Sequence, residues 1–187
     1  MMVRSTEFCS PLGRVAIVIM LLSLKAGCNQ PQPAEPETAA PAQLSEQRPD
    51  VTLQPIDADR YSEVLSRHRG KVVMVDFWAL WCPPCVAKFP DVVELHRRFA
   101  DQGLVVVSIS MDEPEDGDAV LEFLANQQAT FENYHSLYGV GSAAFEAFDL
   151  DAVPHIKLYD RDGEIHTIFS GSSIEPAEME QVIEALL

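Results

Sequence analysis

The chain has 187 residues, enough for one ordinary domain with additional segments. Hydrophobic residues make up 47% of it and charged residues 22%, a composition typical of a globular protein. The formal net charge of −16 argues against sequence-independent binding to nucleic acid, because affinity for phosphate depends on clustered Lys and Arg.

The first 28 residues have the features of an export signal. Arg4 and Arg14 precede an apolar run at residues 15–24 that is too short to cross a bilayer as a mature helix. The small residues before Cys28 resemble the lipobox of bacterial lipoproteins, although Lys25 departs from that pattern. We expect a signal peptide over residues 1–28 and lipidation of Cys28, with ordinary cleavage near Cys28 or an uncleaved anchor as alternatives.

Residues 29–50 contain five prolines together with Gln, Ala and Glu, a composition that favours a disordered spacer. Apolar periodicity begins near the next residue, so we expect one domain over residues 51–187. Its first predicted element is a helix that Asp57 or Asp59 caps and that ends near Arg67.

The rest of the domain alternates between strands and helices. The sequence predicts a buried strand at 72–78, a helix from Cys82 or Pro83 to about Ala100, a buried strand at 104–111 and a solvated acidic loop at 112–117. It then predicts a helix that Asp118 caps, with Val120, Leu121 and Leu124 inward, a short strand at 131–135 and a short helix at 141–148. Two strands at 155–160 and 164–169, joined by an Asp162-Gly163 turn, precede a last helix that Pro176 opens. This order predicts an α/β fold with a mixed central sheet and helices on both faces.

The positions of the four cysteines limit the kinds of chemistry that the protein can carry out. Cys9 lies in the predicted signal and Cys28 would be acylated, which leaves Cys82 and Cys85. A disulfide between residues so close in sequence closes too short a loop to serve mainly as a stabilising cross-link. In an exported protein such a pair indicates redox chemistry or metal binding.

Residues 81–85, Trp-Cys-Pro-Pro-Cys, follow a predicted strand and begin a predicted helix. The thiolate is the reactive form of cysteine, and a helix N-terminus lowers the pKa of a thiol. We therefore expect an exposed Cys82 to be the nucleophile and the more buried Cys85 to resolve the mixed disulfide. Pro83 and Pro84 are tolerated because the N–H groups of the first turn have no helical partner.

Metal binding is the competing interpretation of this pair. A structural zinc site needs a second pair of ligands, yet no other cysteine is available and the five histidines show no zinc-ligand spacing. Capture of copper by both thiolates and a histidine such as His155 stays open. We expect neither a metal nor a cofactor.

Residues 75–85 resemble the active-site stretch of thioredoxins, and Cys-x-x-Cys near a βαβ pattern is a thioredoxin-like signal. The Pro-Pro dipeptide, the export signal and the extra segment between strands resemble the TlpA/ResA group of membrane-tethered thioredoxin-like proteins. Further matches are Pro90 in a kinked helix, Val153-Pro154 in a cis-proline loop, Asp162-Gly163 in a hairpin and Gly171 before the last helix. The resemblance covers about residues 51–187 and implies a thioredoxin-like fold in which residues 112–141 hold an inserted helix and strand.

The resemblance also implies roles for groups around the cysteines. Asp76 would lie buried beneath Cys85 and relay a proton, since burial raises the pKa of a carboxyl group. An ordinary hydrogen-bonded residue at a strand end is the alternative. Glu122 and Glu132 are candidates for a second acid, although solvation is the simpler interpretation of both. His155 could lower the pKa of a thiol or bind a metal, unless its side chain points away from the sulfurs.

A docking site for substrate is implied as well. Pro154 would adopt a cis bond and place the backbone of Val153 beside the sulfurs, where a partner strand could pair with it. A trans proline at the start of an edge strand is the alternative. Trp81, with Pro83 and Pro84 of the motif, would offer apolar contact to substrates, although Trp81 could also serve simple packing.

The implied activity is thiol–disulfide exchange with protein substrates outside the cytoplasm, in a membrane-tethered lipoprotein of the cell envelope. The resemblance favours reduction, as in proteins that deliver electrons to apocytochrome c or to copper-site cysteines, and a reductant there needs a membrane electron donor. The alternatives are an oxidant that inserts disulfides, a copper chaperone, a redox-inert binding module and a peroxidase. An inert module would need neither sulfur, and a peroxidase would need a lone peroxidatic cysteine near an Arg.

Overall fold

A computed structural model describes residues 50–187. The predicted signal peptide, the lipidation site and all but the last residue of the predicted spacer lie outside these residues. The elements are β1 (Gln54–Ile56), α1 (Ala58–Arg67), β2 (Val72–Trp78), α2 (Pro83–Phe99), β3 (Leu104–Ser110), α3 (Gly117–Gln127), β4 (Glu132–Ser136), α4 (Ser142–Ala147), β5 (His155–Tyr159), β6 (Ile165–Ser170) and α5 (Pro176–Leu186). Among the helices of this part of the chain, none is both long enough and apolar enough to span a bilayer.

One six-stranded mixed sheet organises the domain, in the order β1-β4-β3-β2-β5-β6. The strands β1, β4, β3 and β2 are parallel, whereas β5 and β6 pair antiparallel. Trp78 at the end of β2 is in register with Ser110 at the end of β3, and Phe77 is in register with His155 at the start of β5. We call this end of the sheet, at Trp78, Ser110 and His155, the upper edge.

Helices cover both faces of the sheet, as predicted. On one face, Trp78 packs against Phe89 of α2 and Phe123 of α3, with ring centroids 4.8 and 4.9 Å apart. An Arg–Glu ion pair joins α5 to α2 on this side. On the other face, Tyr61 of α1 packs against Phe77 at 5.7 Å. Because side chains alternate along a strand, even-numbered residues of β2 face α2 and odd-numbered ones face α1.

Local capping explains where two helices begin. The side chain of Asp57 accepts a hydrogen bond from Arg60 N at 2.8 Å, so Asp57 is the N-cap of α1. The prediction that Asp118 caps the next long helix is wrong. That helix, α3, already begins at Gly117, so Asp118 lies in its first turn, where a carboxylate interacts favourably with the helix dipole.

Two other features differ from the sequence prediction. Strand β1 was not predicted, because it has three residues, includes Pro55 and is buried only at Ile56. Leu121 was expected to face inward, yet it is 36% exposed, whereas Val120 and Leu124 are fully buried. The latter two lie four residues apart and form the stripe that α3 buries, while Leu121 lies beside that stripe.

Candidate active site

The predicted dithiol lies at the upper edge, where a short loop connects β2 to α2. Trp78 O accepts a hydrogen bond from Met111 N at 2.8 Å, which ties the end of β2 to the residue after β3. Cys82 N then donates to Ala79 O at 3.1 Å and closes a turn. Cys82 is the N-cap of α2, so the sheet and the turn together fix where this helix starts.

Cys82 and Cys85 form a disulfide bond, with a Cα–Cα distance of 5.3 Å. Cys85 N donates to Cys82 O at 3.0 Å and approaches Cys82 Sγ at 3.3 Å, while Val86 N donates to Cys82 O at 3.1 Å. Pro83 and Pro84 fill the first helical positions, where an N–H would have no helical partner. The donors of the first turn of α2 are therefore directed at Cys82.

The expectation that Cys82 is exposed is wrong for this disulfide form. Cys82 is 4% exposed and Cys85 3%. As the N-cap, Cys82 turns its side chain back over the first turn of α2, towards Cys85 N, instead of towards solvent. Trp81 is 47% exposed and Pro83 is exposed too, so the surface beside the disulfide is largely apolar.

Asp76 lies in the middle of buried strand β2 and is 4% exposed. It shares a face of the strand with Trp78, which contacts α2, so its carboxyl group lies on the side of the sheet that carries the disulfide. Burial raises the pKa of Asp76 to about 7. A carboxyl group with that pKa can take up or release a proton near neutral pH.

The predicted proline loop lies next to the dithiol loop. The Val153–Pro154 peptide bond is cis, as predicted. Because His155 pairs with Phe77 in the antiparallel β2–β5 ladder, Pro154 lies beside the end of β2, where the loop to Cys82 begins. Pro154 is buried and its carbonyl accepts a hydrogen bond from Gly171 N at 2.9 Å, while Val153 is only partly buried.

His155 lies across the sheet from Asp76. Its ring approaches that of Phe77 at 6.2 Å, on the face that α1 covers. Burial lowers the pKa of His155, and neither ring nitrogen has a hydrogen-bond partner among the described residues. The geometry favours the interpretation in which this side chain points away from the sulfurs. Within residues 50–187, no three His, Cys, Asp or Glu side chains are grouped to hold a metal ion.

The two candidate second acids lie elsewhere. Glu122 is exposed on α3. Glu132 begins β4 and forms hydrogen bonds with His68 at 2.8 Å and with Tyr134 at 2.6 Å. In the ladder it is in register with Val107, three residues before the end of β3, so it does not reach the upper edge.

Asp112 is the carboxylate that the sequence analysis placed in a solvated loop. It is 1% exposed. Its two carboxylate oxygens accept a hydrogen bond from Leu80 N at 3.0 and 3.1 Å, and one of them also accepts from Ser110 Oγ at 2.7 Å. The register of β2 and β3 could have revealed the burial of Asp112. It places this residue, two positions after the end of β3, beside the loop that follows β2.

Lys157 is a second buried charge that the sequence analysis missed. Its Nζ donates to Phe148 O at 2.8 Å and lies 3.9 Å from a carboxylate oxygen of Asp149. Burial lowers the pKa of this lysine. The contacts hold the end of α4 against β5, and thereby the segment that leads to Pro154. Nothing in the local sequence distinguishes this lysine from an exposed one.

Comparison with known proteins identifies the family of the chain. Residues 43–187 match the Redoxin family. The chain is 30% identical over 126 residues to the thiol-disulfide oxidoreductase ResA of Oceanobacillus iheyensis, and the match covers 66% of this chain and 63% of that relative. It is 28% identical over 143 residues to the thioredoxin-like protein YneN of Bacillus subtilis, covering 76% of this chain and 79% of YneN.

Solved structures give the same fold. A crystal structure described as a DsbE-type thiol:disulfide interchange protein of Chlorobium tepidum superposes with a TM-score of 0.56 at 32% identity. The superposition covers 65% of this chain and 84% of that one. The chain therefore belongs to the Redoxin family and is a thioredoxin-like protein of the TlpA/ResA type, a group of thiol–disulfide oxidoreductases.

Proposed function

We propose that this protein exchanges disulfides with protein substrates outside the cytoplasm and that it acts as a reductant. The observation that carries the proposal is the Cys82–Cys85 disulfide at the N-terminus of α2, in a fold shared with thiol–disulfide oxidoreductases. The relatives named thiol-disulfide oxidoreductase ResA support the same activity.

The first step is attack by Cys82. In the dithiol form, the Cys82 thiolate attacks one sulfur of a substrate disulfide. The Cys82–substrate bond forms, the substrate S–S bond breaks, and the second substrate sulfur leaves as a thiolate that takes up a proton. The backbone N–H of Cys85, which lies 3.3 Å from Cys82 Sγ, and the dipole at the N-terminus of α2 stabilise its thiolate.

The second step is resolution by Cys85. The Cys85 thiol gives its proton to the Asp76 carboxylate and attacks Cys82 Sγ. The remaining substrate sulfur leaves as a thiolate and takes up one proton as Asp76 releases its own. The protein ends as the Cys82–Cys85 disulfide, and the substrate gains two electrons and two protons. A pKa raised to about 7 suits Asp76 to this transfer near neutral pH.

Substrate docking uses the surface around the disulfide. The exposed ring of Trp81, together with Pro83 and Pro84, offers an apolar contact. The partly buried backbone of Val153, held next to the dithiol loop by the β2–β5 ladder, can pair with an extended segment of the substrate.

The proposed direction also requires a partner that restores the dithiol. A reductant is spent once the disulfide has formed, so a membrane-bound donor has to supply two electrons and two protons. Substrates of the proposed class include the cysteines of apocytochrome c and of copper sites. An oxidant with the same fold would need the opposite exchange, and potentials among such folds run from about −270 to about −120 mV.

The reduction potential of Cys82–Cys85 tests the proposal. It is measured on the full chain, equilibrated in thiol buffers of defined ratio, with the redox state read from the fluorescence of Trp81 beside Cys82. A value near about −250 mV or lower supports the reductant. A value near about −120 mV identifies an oxidant instead. The absence of any reversible two-electron couple would contradict the oxidoreductase itself.

A location in the cell envelope is part of the same proposal. It depends on the export signal in residues 1–28 and on lipidation of Cys28. Mass spectrometry of protein extracted from membranes checks this point: an N-terminal peptide that begins at a diacylglycerol-modified Cys28 is expected. A peptide with an unmodified Cys28 would contradict the anchor while leaving the redox activity untouched.

A further inference from the structure

The loop that carries Cys82 is hydrogen-bonded to the segment at the end of a neighbouring strand, β3. Between Trp78 and Cys82 the chain has left the sheet, and Leu80 is its middle residue. Leu80 N donates to both carboxylate oxygens of Asp112, at 3.0 and 3.1 Å. The contact joins residues 32 positions apart, so it ties the loop to the end of β3 and not to its own neighbours.

Asp112 is itself firmly held. Ser110 Oγ donates to one carboxylate oxygen at 2.7 Å and accepts from Asp112 N at 3.2 Å. His135 Nε2, from the end of β4, donates to Asp112 O at 3.2 Å. A buried carboxylate is costly unless hydrogen bonds compensate for lost water, and Leu80 and Ser110 provide them. The carboxylate thus occupies one position, defined by β3 and β4.

The same carboxylate is hydrogen-bonded to the residue two positions before Cys82. Two residues span at most about 7 Å and the contact with Leu80 N adds 3.0 Å, so the Asp112 carboxylate lies within about 10 Å of the backbone of Cys82. Asp112 is almost completely shielded from solvent, so its charge is screened less than a surface charge would be. A negative charge near a thiol favours the neutral form and opposes the thiolate.

We propose that Asp112 is a positioning residue for the dithiol: its carboxylate fixes the loop that carries Cys82, and its charge makes the disulfide harder to reduce. The second effect follows because reduction creates the thiolate that this charge disfavours. The inference rests on the proposed function, since it concerns the equilibrium between disulfide and dithiol. The charge of Asp112 thus opposes the effect of the N-terminus of α2, which stabilises the thiolate.

The test compares Asp112→Asn with Glu115→Gln in the full chain. Each removes one negative charge from the segment after β3, but Glu115 is exposed and has no hydrogen bond among the described contacts. Two quantities are measured for each protein. One is the reduction potential in thiol buffers, and the other is the pKa of Cys82, from the pH dependence of iodoacetamide alkylation read on the Cys82 peptide by mass spectrometry.

We expect Asp112→Asn to lower the pKa of Cys82 and to raise the equilibrium constant for reduction about tenfold, which is about 30 mV for a two-electron couple. Glu115→Gln should leave both quantities at the wild-type values. Equal effects of the two variants, or no effect of either, would overturn the role of Asp112. A wild type without any reversible couple would instead contradict the proposed function and this inference together.

The anchoring can also be tested in the unaltered protein, in case Asp112→Asn does not fold. Hydrogen exchange of the wild type should show the Leu80 amide protected by at least about tenfold relative to an unstructured chain, because it is hydrogen-bonded to a buried acceptor. Exchange of Leu80 at the rate of a free amide would contradict the anchor, whatever the variants show.

Discussion

Two buried carboxyl groups lie on the strands that flank the dithiol loop, one within β2 and one just after β3. Asp76 comes from the middle of β2 and faces α2, with its pKa raised to about 7 by burial. Asp112 comes from the end of β3 and receives hydrogen bonds from Leu80 and Ser110. Their surroundings suit them to different tasks, because an acid near its titration point can exchange a proton whereas a hydrogen-bonded carboxylate holds its neighbours in place.

The first prediction concerns the stability of the Asp76→Asn variant. The unfolded carboxyl titrates near 3.8 and the folded one near 7, so the folded state binds the proton more tightly and wild-type stability falls as pH rises between these values. Oxidised Asp76→Asn should therefore match the wild type near pH 4 and exceed it by a few kcal/mol at pH 8, since one pKa unit corresponds to about 1.4 kcal/mol. Urea denaturation at both pH values measures the difference, with Glu115→Gln as the control. A difference independent of pH would contradict the raised pKa.

The second prediction separates the two cysteines. Cys85→Ser should accumulate a mixed disulfide with a protein substrate through Cys82, because the resolving thiol is missing. Cys82→Ser should accumulate at least about tenfold less, because Cys85 lies inside the first turn of α2. Non-reducing electrophoresis after acid quenching measures both. Equal trapping by the two variants would contradict the assignment of Cys82 as the nucleophile.

At the level of elements, α3 is joined to the core through aromatic packing. Phe123 of α3 contacts Trp78 of β2 and Phe89 of α2, with centroids 4.9 and 5.1 Å apart. Leu124 is completely buried, while Leu121 is 36% exposed. Helix α3 is thus part of the hydrophobic core that packs against the end of β2, although only one stripe of the helix surface is buried.

The third prediction follows from that stripe. Leu124→Ala should lower the free energy of unfolding by about 2–5 kcal/mol, because it removes buried methyl groups and leaves a cavity. Leu121→Ala should change it by no more than about 0.5 kcal/mol, as expected for a surface position. Denaturant unfolding of the two variants measures both changes. A larger loss for Leu121→Ala would contradict the orientation of α3.

The sequence was most informative where signals are local. The apolar run at 72–78 predicted β2 with its observed bounds, and Pro83 and Pro176 marked the starts of two helices. The features that it did not reveal depend on contacts between distant segments. The burial of Asp112 follows from the alignment of β3 with β2, and the three-residue β1 exists because β4 pairs with it. Neither pattern can be read from one stretch of chain.

At the scale of the whole molecule, charge is distributed unevenly. Residues 99–160 contain twelve Asp or Glu, no Arg and one Lys, Lys157, which is buried. This segment supplies β3, β4, both loops that follow them at the upper edge and the approach to Pro154. Six of the twelve acidic residues, at positions 112, 113, 115, 116, 149 and 151, lie between β3 and α3 or between α4 and β5, in segments that lead to or from this edge. We therefore expect a negative field around the dithiol that attracts partners of positive charge.

The fourth prediction tests this field. The kcat/KM for reduction of a disulfide protein with net positive charge should fall roughly tenfold between about 20 mM and about 300 mM salt, because screening weakens steering. A small neutral disulfide, the matched control, should react at nearly the same rate throughout. The measurement is the initial rate of thiol release at each salt concentration. Equal salt dependence for both substrates would contradict electrostatic steering.

The near-complete enclosure of the disulfide bears on how the protein chooses among reductants. Cys82 leaves 4% of its surface open and Cys85 3%, so an incoming sulfur can reach the disulfide only through a small part of its surface. Two dithiols with equal reduction potentials but different shapes then react at different rates. Only the dithiol whose surface fits around Trp81 can place its sulfur in line with the Cys82–Cys85 bond. Selectivity among dithiols of equal potential is then kinetic, and it comes from steric access instead of driving force.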